Sequence, residues 1–405
     1  MRTTAVLLLA LMIGFGSAAL PGEAFADGIL TERTYKRLAR IHELMGENQY
    51  DEALTRLDHL VKSVRRNKYE YALVMQTYGY IYAAKEQYRK AAEAFEACLE
   101  QEALPEGPTR STLYTLAQLY MTIGNFQGTV DTLNRWFQME KEPKAEAFAF
   151  LGTAHAQLKQ YDKAIENMKI AISRAEKPQE TWYQIVLAIY FEQKRYAEAA
   201  ETLEQMIRLW PDKKQYWTQL AGVYFNLKRD MRSLSVMELA YRKGYLTTEK
   251  ELLNLANLYQ LLHLPYKAGK IMEEGIRRGI IEPTTRNWQR LSDAWFAARE
   301  LKPSLVALRK AAELSDDGEL YLRAAQISAE GEDWPAVIED LRLAEEKDAL
   351  KDPGLLYLLK GTAYYELKKY NDALQAFADA RKYDSSAKNA EQWINYVNSE
   401  LAMLQ

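Results

Sequence analysis

The sequence predicts an all-α fold, a solenoid of about ten helix-turn-helix units closed by a C-terminal capping helix. Three observations predict it. Residues 357–380 read as two amphipathic helices, with Tyr357, Gly361, Ala363 and Tyr364 on one face of the first and Ala373, Leu374, Phe377 and Ala380 on one face of the second. Neither helix can bury its stripe alone, so the pair needs neighbours. The same pattern recurs along the chain. The position of Gly361 is taken in turn by Ile41, Gly79, Ala117, Gly152, Leu187, Ala221, Ala256, Ser292 and Ala325, at intervals of 33 to 38 residues. Three residues after it an aromatic stands in seven of the ten copies, and the slot of Ala373 is small in nearly all of them. Lastly, Ala390, Trp393, Ile394, Val397 and Leu401 form a final apolar stripe with Glu391, Gln392, Asn395 and Ser399 opposite, as a helix covering the end of a stack requires.

In chain order, residues 1–26 read as a secretory signal peptide. Arg2 gives a positive start, Ala5 to Gly14 an apolar run, and Ala24-Phe25-Ala26 a small-x-small cleavage site, so cleavage is expected after Ala26. The apolar run is short of a membrane span, and no cysteine follows it to carry a lipid. A periplasmic protein without stable membrane insertion is the expectation. Residues 27–384 are then the solenoid and 385–405 the cap. The first unit is degenerate at Ile41 and Leu44 but regular from Tyr50 to Ala53. Lys62, Arg65, Arg66 and Lys68 form the most basic cluster and read as a solvated turn rather than an anionic-lipid contact. Pro105 and Pro108 are expected to force a loop that lengthens the early period. Gly244 and Gly279, each preceded by Lys or Arg, read as left-handed helix ends. Asn371 or Asp372 is expected to cap the last second helix. Ser328 leaves the ninth unit without its aromatic. Residues 316–348 hold 11 acidic and 3 basic residues, whereas residues 267–310 hold 10 basic and 5 acidic.

Composition narrows the function. With 53 basic and 56 acidic residues the chain makes no electrostatic case for nucleic acid. His42, His59, His155 and His263 lack ligand-like spacing, so no metal is expected, and His155 reads as a packed residue in an aromatic slot. The lone Cys98 cannot close an internal disulfide and reads as a small buried residue. There is no Gly-x-Ser-x-Gly, no Walker loop and no His-Glu-x-x-His, and a chain filled with repeats leaves no room for a catalytic domain. The reading is a non-enzymatic binding protein without a cofactor.

The period near 34 with its small-aromatic-small pattern resembles the tetratricopeptide repeat (TPR) family over most of the chain. A right-handed superhelix is what that resemblance implies. The motifs Trp217-Thr218-Gln219-Leu220, Glu238-Leu239-Ala240-Tyr241 running to Gly244-Tyr245-Leu246, Leu264-Pro265-Tyr266-Lys267-Ala268 and 387–393 are similar to a family of exported TPR proteins encoded beside TonB, ExbB and ExbD. This implies an accessory of TonB-dependent energy transduction, with TonB, ExbD or a TonB-dependent receptor as partner; an adaptor of outer-membrane or cell-wall assembly is the alternative. In the family the first helices line a groove. Projected onto this sequence, the groove positions are Gln184, Phe191, Gln219, Phe225, Asn226, Lys250, Asn254, Asn257, Gln260, Arg286, Gln289, Arg290 and Phe296. Amides there can donate to and accept from an extended peptide, and aromatics offer flat apolar contact. Asn254, Arg286 and Arg290 also resemble part of a carboxylate clamp, but its other positions fall on Thr218 and Gly222, which lack the required groups.

Overall fold

The computed structural model describes residues 30–347 and 350–404, so the signal segment 1–26 lies outside the described residues. Every regular element among the described residues is a helix. The chain divides into two compact units, Met1–Thr202 and Leu203–Gln405, with the boundary inside α10. The first unit stacks the hairpins α1 (Glu32–Gly46) with α2 (Tyr50–Val64), α3 (Lys68–Ala84) with α4 (Tyr88–Leu99), α5 (Glu106–Thr122) with α6 (Phe126–Met139) and α7 (Ala145–Gln157) with α8 (Tyr161–Arg174), and continues into α9 (Glu180–Glu192) and α10 (Tyr196–Leu209). The second stacks α11 (Lys214–Asn226) with α12 (Asp230–Arg242), α13 (Glu249–Leu261) with α14 (Pro265–Arg277), α15 (Thr285–Ala297) with α16 (Leu301–Glu313), α17 (Glu319–Glu330) with α18 (Trp334–Lys347) and α19 (Pro353–Glu366) with α20 (Tyr370–Ala380). It ends in α21 (Ala387–Leu404). Ala390 and Val397 of α21 are buried, and Trp393 stacks on Phe377 of α20 with ring centroids 5.3 Å apart.

All ten hairpins turn in the same way. Seven residues after each anchor stands a residue in the left-handed region: Asn48, Glu86, Gly124, Lys159, Lys194, Lys228, His263, Arg299, Glu332 and Lys368. Its N–H and the next one bond back into the first helix; Lys228 donates to the Phe225 carbonyl at 3.0 Å and Arg229 to the Tyr224 carbonyl at 2.9 Å. This is the Schellman closure, which satisfies orphan carbonyls at a helix end. Nine of the ten are not glycine, with φ between 56° and 61°, a conformation costing an L-residue roughly 1–2 kcal/mol. The recovered helix-end bonds and the packing beyond the turn hold it. Gly244 and Gly279 adopt the same conformation after α12 and α14, as the sequence indicates.

Two local expectations are corrected. The second helix of the last hairpin begins at Tyr370 and no side chain caps it, so Asn371 and Asp372 lie inside its first turn. The longer early period comes from helix rather than loop: α3 and α5 each start 11 residues before their anchors, Gly79 and Ala117, against 7 for α11 and Ala221. Pro108 accordingly sits in the first turn of α5, where proline is tolerated.

Inside a hairpin the anchors bring the two backbones together. A Cβ built on Gly79 would lie 2.7 Å from the Phe95 ring, and one on Gly361 2.5 Å from the Phe377 ring. Other anchors face aliphatic residues: a Cβ on Gly152 would lie 3.2 Å from Met168 Cγ, and Ala117 with Leu133, Ala256 with Met272, and Ala325 with Leu341 share their core clusters. Where the second helix offers a hydroxyl at the contact, it donates to the anchor carbonyl, Ser233 to Ala221 at 2.8 Å and Ser304 to Ser292 at 3.0 Å. Cys98 is fully buried, and burial pushes its thiol up to about 12.

The ninth hairpin solves its missing aromatic differently. Arg309 of α16 reaches into the space and makes two 2.8 Å bonds to the Asp340 carboxylate, while Ser328 donates to the same carboxylate at 3.0 Å. Asp340 is only 1% exposed.

Two outcomes are expected. Gly79→Ala should destabilise by about 1–3 kcal/mol through overpacking, and Phe95→Leu in the same chain should recover most of that loss in urea unfolding. Asp340→Ala should cost about 3 kcal/mol because it strands a partly buried guanidinium, whereas Arg309→Met with Asp340→Leu should leave hydrogen-exchange protection of α17 near wild type.

Candidate functional site

The first helices α11, α13 and α15 pack on their own partners and on their neighbours, leaving a narrow stripe at fixed offsets from the anchor. On α13, with anchor Ala256, the stripe is Lys250, Asn254, Asn257, Gln260 and Leu261. Spacings of four, three and three residues keep these on one helical face. On α11 the same offsets give Gln215, Gln219, Gly222, Phe225 and Asn226, all exposed, with Phe225 at 45%. On α15 they give Arg286, Arg290, Asp293, Phe296 and Ala297, of which Arg290 and Phe296 are half-buried.

Side chains tie these helices edge to edge. Lys214 at the start of α11 lies 3.3 Å from the Thr247 hydroxyl and 3.9 Å from Glu251. Asn287 of α15 donates to Glu249 of α13 at 2.6 Å, and Arg323 of α17 pairs with Asp293 of α15 at 2.6 Å. Thr248 and Glu251 close a capping box that fixes the entry of α13. Behind α13, Glu238 of α12 accepts from the Tyr259 hydroxyl at 2.6 Å and from Lys267 at 2.9 Å. These bonds, the tyrosine's first, hold the Glu238 carboxyl below its usual range. Burial, reinforced by the same carboxylate, raises the Tyr259 phenol well above its own.

The second unit therefore brings together ten of the projected positions, Gln219, Phe225, Asn226, Lys250, Asn254, Asn257, Gln260, Arg286, Arg290 and Phe296, on three laterally tied helices. Gln289 lies one residue off the stripe, at the half-buried flank. Gln184 and Phe191 belong to α9 of the first unit; Gln184 is likewise one residue off register and faces Glu180 at 3.4 Å, while Phe191 is half-buried. Gln215, Leu261 and Asp293 are stripe positions that projection passed over, although each stands at the same offset as a residue it included. Among the described residues, Lys250, Asn254, Asn257, Gln260, Arg286, Gln289 and Arg290 have no hydrogen-bond or ion-pair partner. Their amide, ammonium and guanidinium groups are free for a ligand's carbonyls, N–H groups and carboxylates. The clamp is incomplete, since Thr218 turns its hydroxyl to the Gln215 carbonyl at 3.1 Å and Gly222 opens onto empty space. His155 is a packed residue bonded to Gln160 at 2.7 Å, and burial lowers its pKa. Among the described residues no group of three His, Cys, Asp or Glu is placed to hold a metal.

Comparison with known proteins defines the class. One tetratricopeptide repeat model matches residues 189–244, and another matches residues 72–103 and 145–178. The described residues form an all-helical TPR solenoid, and such repeats form protein-interaction scaffolds. No curated protein matches it. Among solved structures, a tetratricopeptide repeat protein from Parabacteroides merdae is 13% identical over 74% of this chain and 100% of its own, at a TM-score of 0.37. The TPR2AB domain of yeast Sti1, solved in a complex with pHSP90, is 19% identical over 63% of this chain and 98% of its own, at 0.31. YrrB, described as a TPR protein with an unusual peptide-binding site, is 14% identical over 44% of this chain and 88% of its own, at 0.35. At these TM-scores none of the three bears on the site.

Because the folded-state pKa of Glu238 lies below its unfolded value, its contribution to stability is complete above the ordinary carboxylate range and is lost as pH falls through the lowered pKa. Glu238→Gln should accordingly melt below wild type at pH 7, and the two melting curves should converge as the pH is taken to about 3.

Proposed function

We propose that this protein is a non-enzymatic periplasmic scaffold that binds an extended segment of a partner protein along the stripe of α11, α13 and α15. It acts as an accessory of TonB-dependent energy transduction. The observation that carries the binding reading is the concentration of uncommitted amides and cations on helices that are themselves tied together. Lys250, Asn254, Asn257, Arg286 and Arg290 stand on neighbouring helices with no internal side-chain partner and can bond a ligand's backbone and carboxylates. Phe225 and Leu261, both about half exposed, add apolar contact beside them, and an extended peptide uses both kinds of group. Export rests on the signal-like residues 1–26. The TonB link rests on the motifs of α11 to α14 and on 387–393, which resemble exported TPR proteins of that system.

In-cell crosslinking of a C-terminally tagged copy, read by mass spectrometry, tests both parts. TonB, ExbD or a TonB-dependent receptor should be captured. Asn254→Ala with Arg290→Ala should abolish that capture and leave the melting temperature unchanged, since neither side chain holds the fold. Unchanged capture by the double variant would overturn the stripe as the site. Capture of outer-membrane or cell-wall assembly factors would keep the scaffold and overturn the TonB link.

A further inference from the structure

On the three stripe helices the carboxylates are engaged and three of the cations are not. The acids are Glu249 and Glu251 on α13 and Asp293 on α15, and α11 has none. Glu249 accepts from Asn287 at 2.6 Å. Glu251 accepts from the Thr247 and Thr248 N–H groups at 2.8 and 3.0 Å, with Lys214 at 3.9 Å. Asp293 pairs with Arg323 at 2.6 Å. No carboxylate among the described residues stands at ion-pair distance from Lys250, Arg286 or Arg290.

The stripe also has two sides. Six and two residues before the anchors, towards the helix starts, stand Gln215 and Gln219, Lys250 and Asn254, and Arg286 and Arg290, with no acid among them. Four and five residues after the anchors, towards the helix ends, stand Phe225 and Asn226, Gln260 and Leu261, and Phe296 and Ala297, with no charge among them. Phe225 is 45% and Leu261 50% exposed. On α15 the step from Arg290 to Phe296 is about 9 Å along the helix at 1.5 Å per residue. Between the two sides lie Asn257, exposed and unpaired, and Gly222, which opens onto empty space.

We infer that the partner segment taken by this stripe alternates acidic and apolar residues, which rests on the stripe being the binding site. A segment laid across the helices in extended form sends successive side chains to opposite sides. One row meets the cations and the other meets Phe225, Leu261 and Phe296. The backbone then runs over the middle, where the Asn254 and Asn257 amides can donate to its carbonyls and accept from its N–H groups. Carboxylates suit the first row because charge-assisted bonds to Arg and Lys are the strong ones, and these cations have no internal partner. A basic row would meet like charge. A wholly apolar segment would cover Arg286 and Arg290 and leave them unpaired. The acids are side chains within the segment, since Thr218 and Gly222 do not complete a clamp for a chain end.

The test is fluorescence anisotropy of the full chain with labelled peptides blocked at both ends, at about 50 mM salt. The probe is Glu-Leu-Glu-Leu-Glu-Leu-Glu. Its comparators carry Gln or Lys in place of every Glu, or the same composition with the glutamates in one block. The alternating acidic peptide should bind at least tenfold tighter than each comparator. It should lose at least tenfold in Lys250→Gln/Arg286→Gln/Arg290→Gln and in Phe225→Ser/Leu261→Ser. Lys250→Glu/Arg286→Glu/Arg290→Glu should reverse the preference towards the Lys peptide, an outcome that a misfolded chain cannot give. Equal binding of the Glu and Gln peptides, equal binding of the alternating and block peptides, or an unchanged preference in the reversed variant would each overturn the inference. A photo-crosslinker in place of Asn257 separates its failure from that of the site. Capture there of a partner segment without acidic and apolar alternation would overturn the alternation alone and keep the stripe.

Discussion

The distance between the two backbones within a hairpin is the constraint on which the rest of this structure depends. An anchor without a side chain lets a whole phenyl ring lie against the helix, as Phe95 does on Gly79 and Phe377 on Gly361. An alanine anchor meets Leu or Met instead. Gly152, too, meets a methionine, Met168, so the fit is set hairpin by hairpin within a close-packed interior. With that spacing held, the first helices of successive hairpins arrive at regular intervals, and their exposed stripes inherit the same order.

Between hairpins the contacts are more polar and less uniform. Tyr224 and Tyr259 each donate to a carboxylate of the preceding second helix, Glu204 and Glu238. In the ninth hairpin a guanidinium from the preceding helix meets a carboxylate of the hairpin's own, with Ser328 completing the network. The same gap is filled in one case by a phenol and in the other by a bidentate ion pair. Full hydrogen bonding makes either tolerable in a buried setting.

Much of the fold was legible because the anchors recur in register. The positions of Ala53, Ala91, Ala268 and Ala373 on the second helices are buried without exception, and the ten turns fall between the helices as the repeat demands. Helix ends were less legible. Asn371 looks like a cap, yet the Schellman closure of the first helix dictates where the second begins. Pro108 looks like a loop residue, yet a first helical turn accepts it. At the candidate site, amide and aromatic types point to Asn254 or Phe225, and Asp293 is of neither type; Gln215 is an amide, and only its offset from the anchor Ala221, the same as that of Lys250 from Ala256, puts it on the stripe. Gln184 and Gln289 are amides too and lie one residue off the stripe. The rescue of Ser328 by Arg309 and Asp340 was not legible, since its three members are spread over 32 positions and three helices.

The placing of anchor and facing residue within one hairpin bears on how such a chain can change over generations. Each hairpin carries both halves of its own fit within about 16 residues, Gly79 with Phe95 or Ala256 with Met272. Duplication or loss of a whole hairpin therefore moves a matched pair and leaves the fit intact. A crossover inside a hairpin would set an alanine anchor against a phenylalanine and force the helices apart. The heritable module of this protein is the hairpin, and its natural breakpoints are the connections between one hairpin and the next.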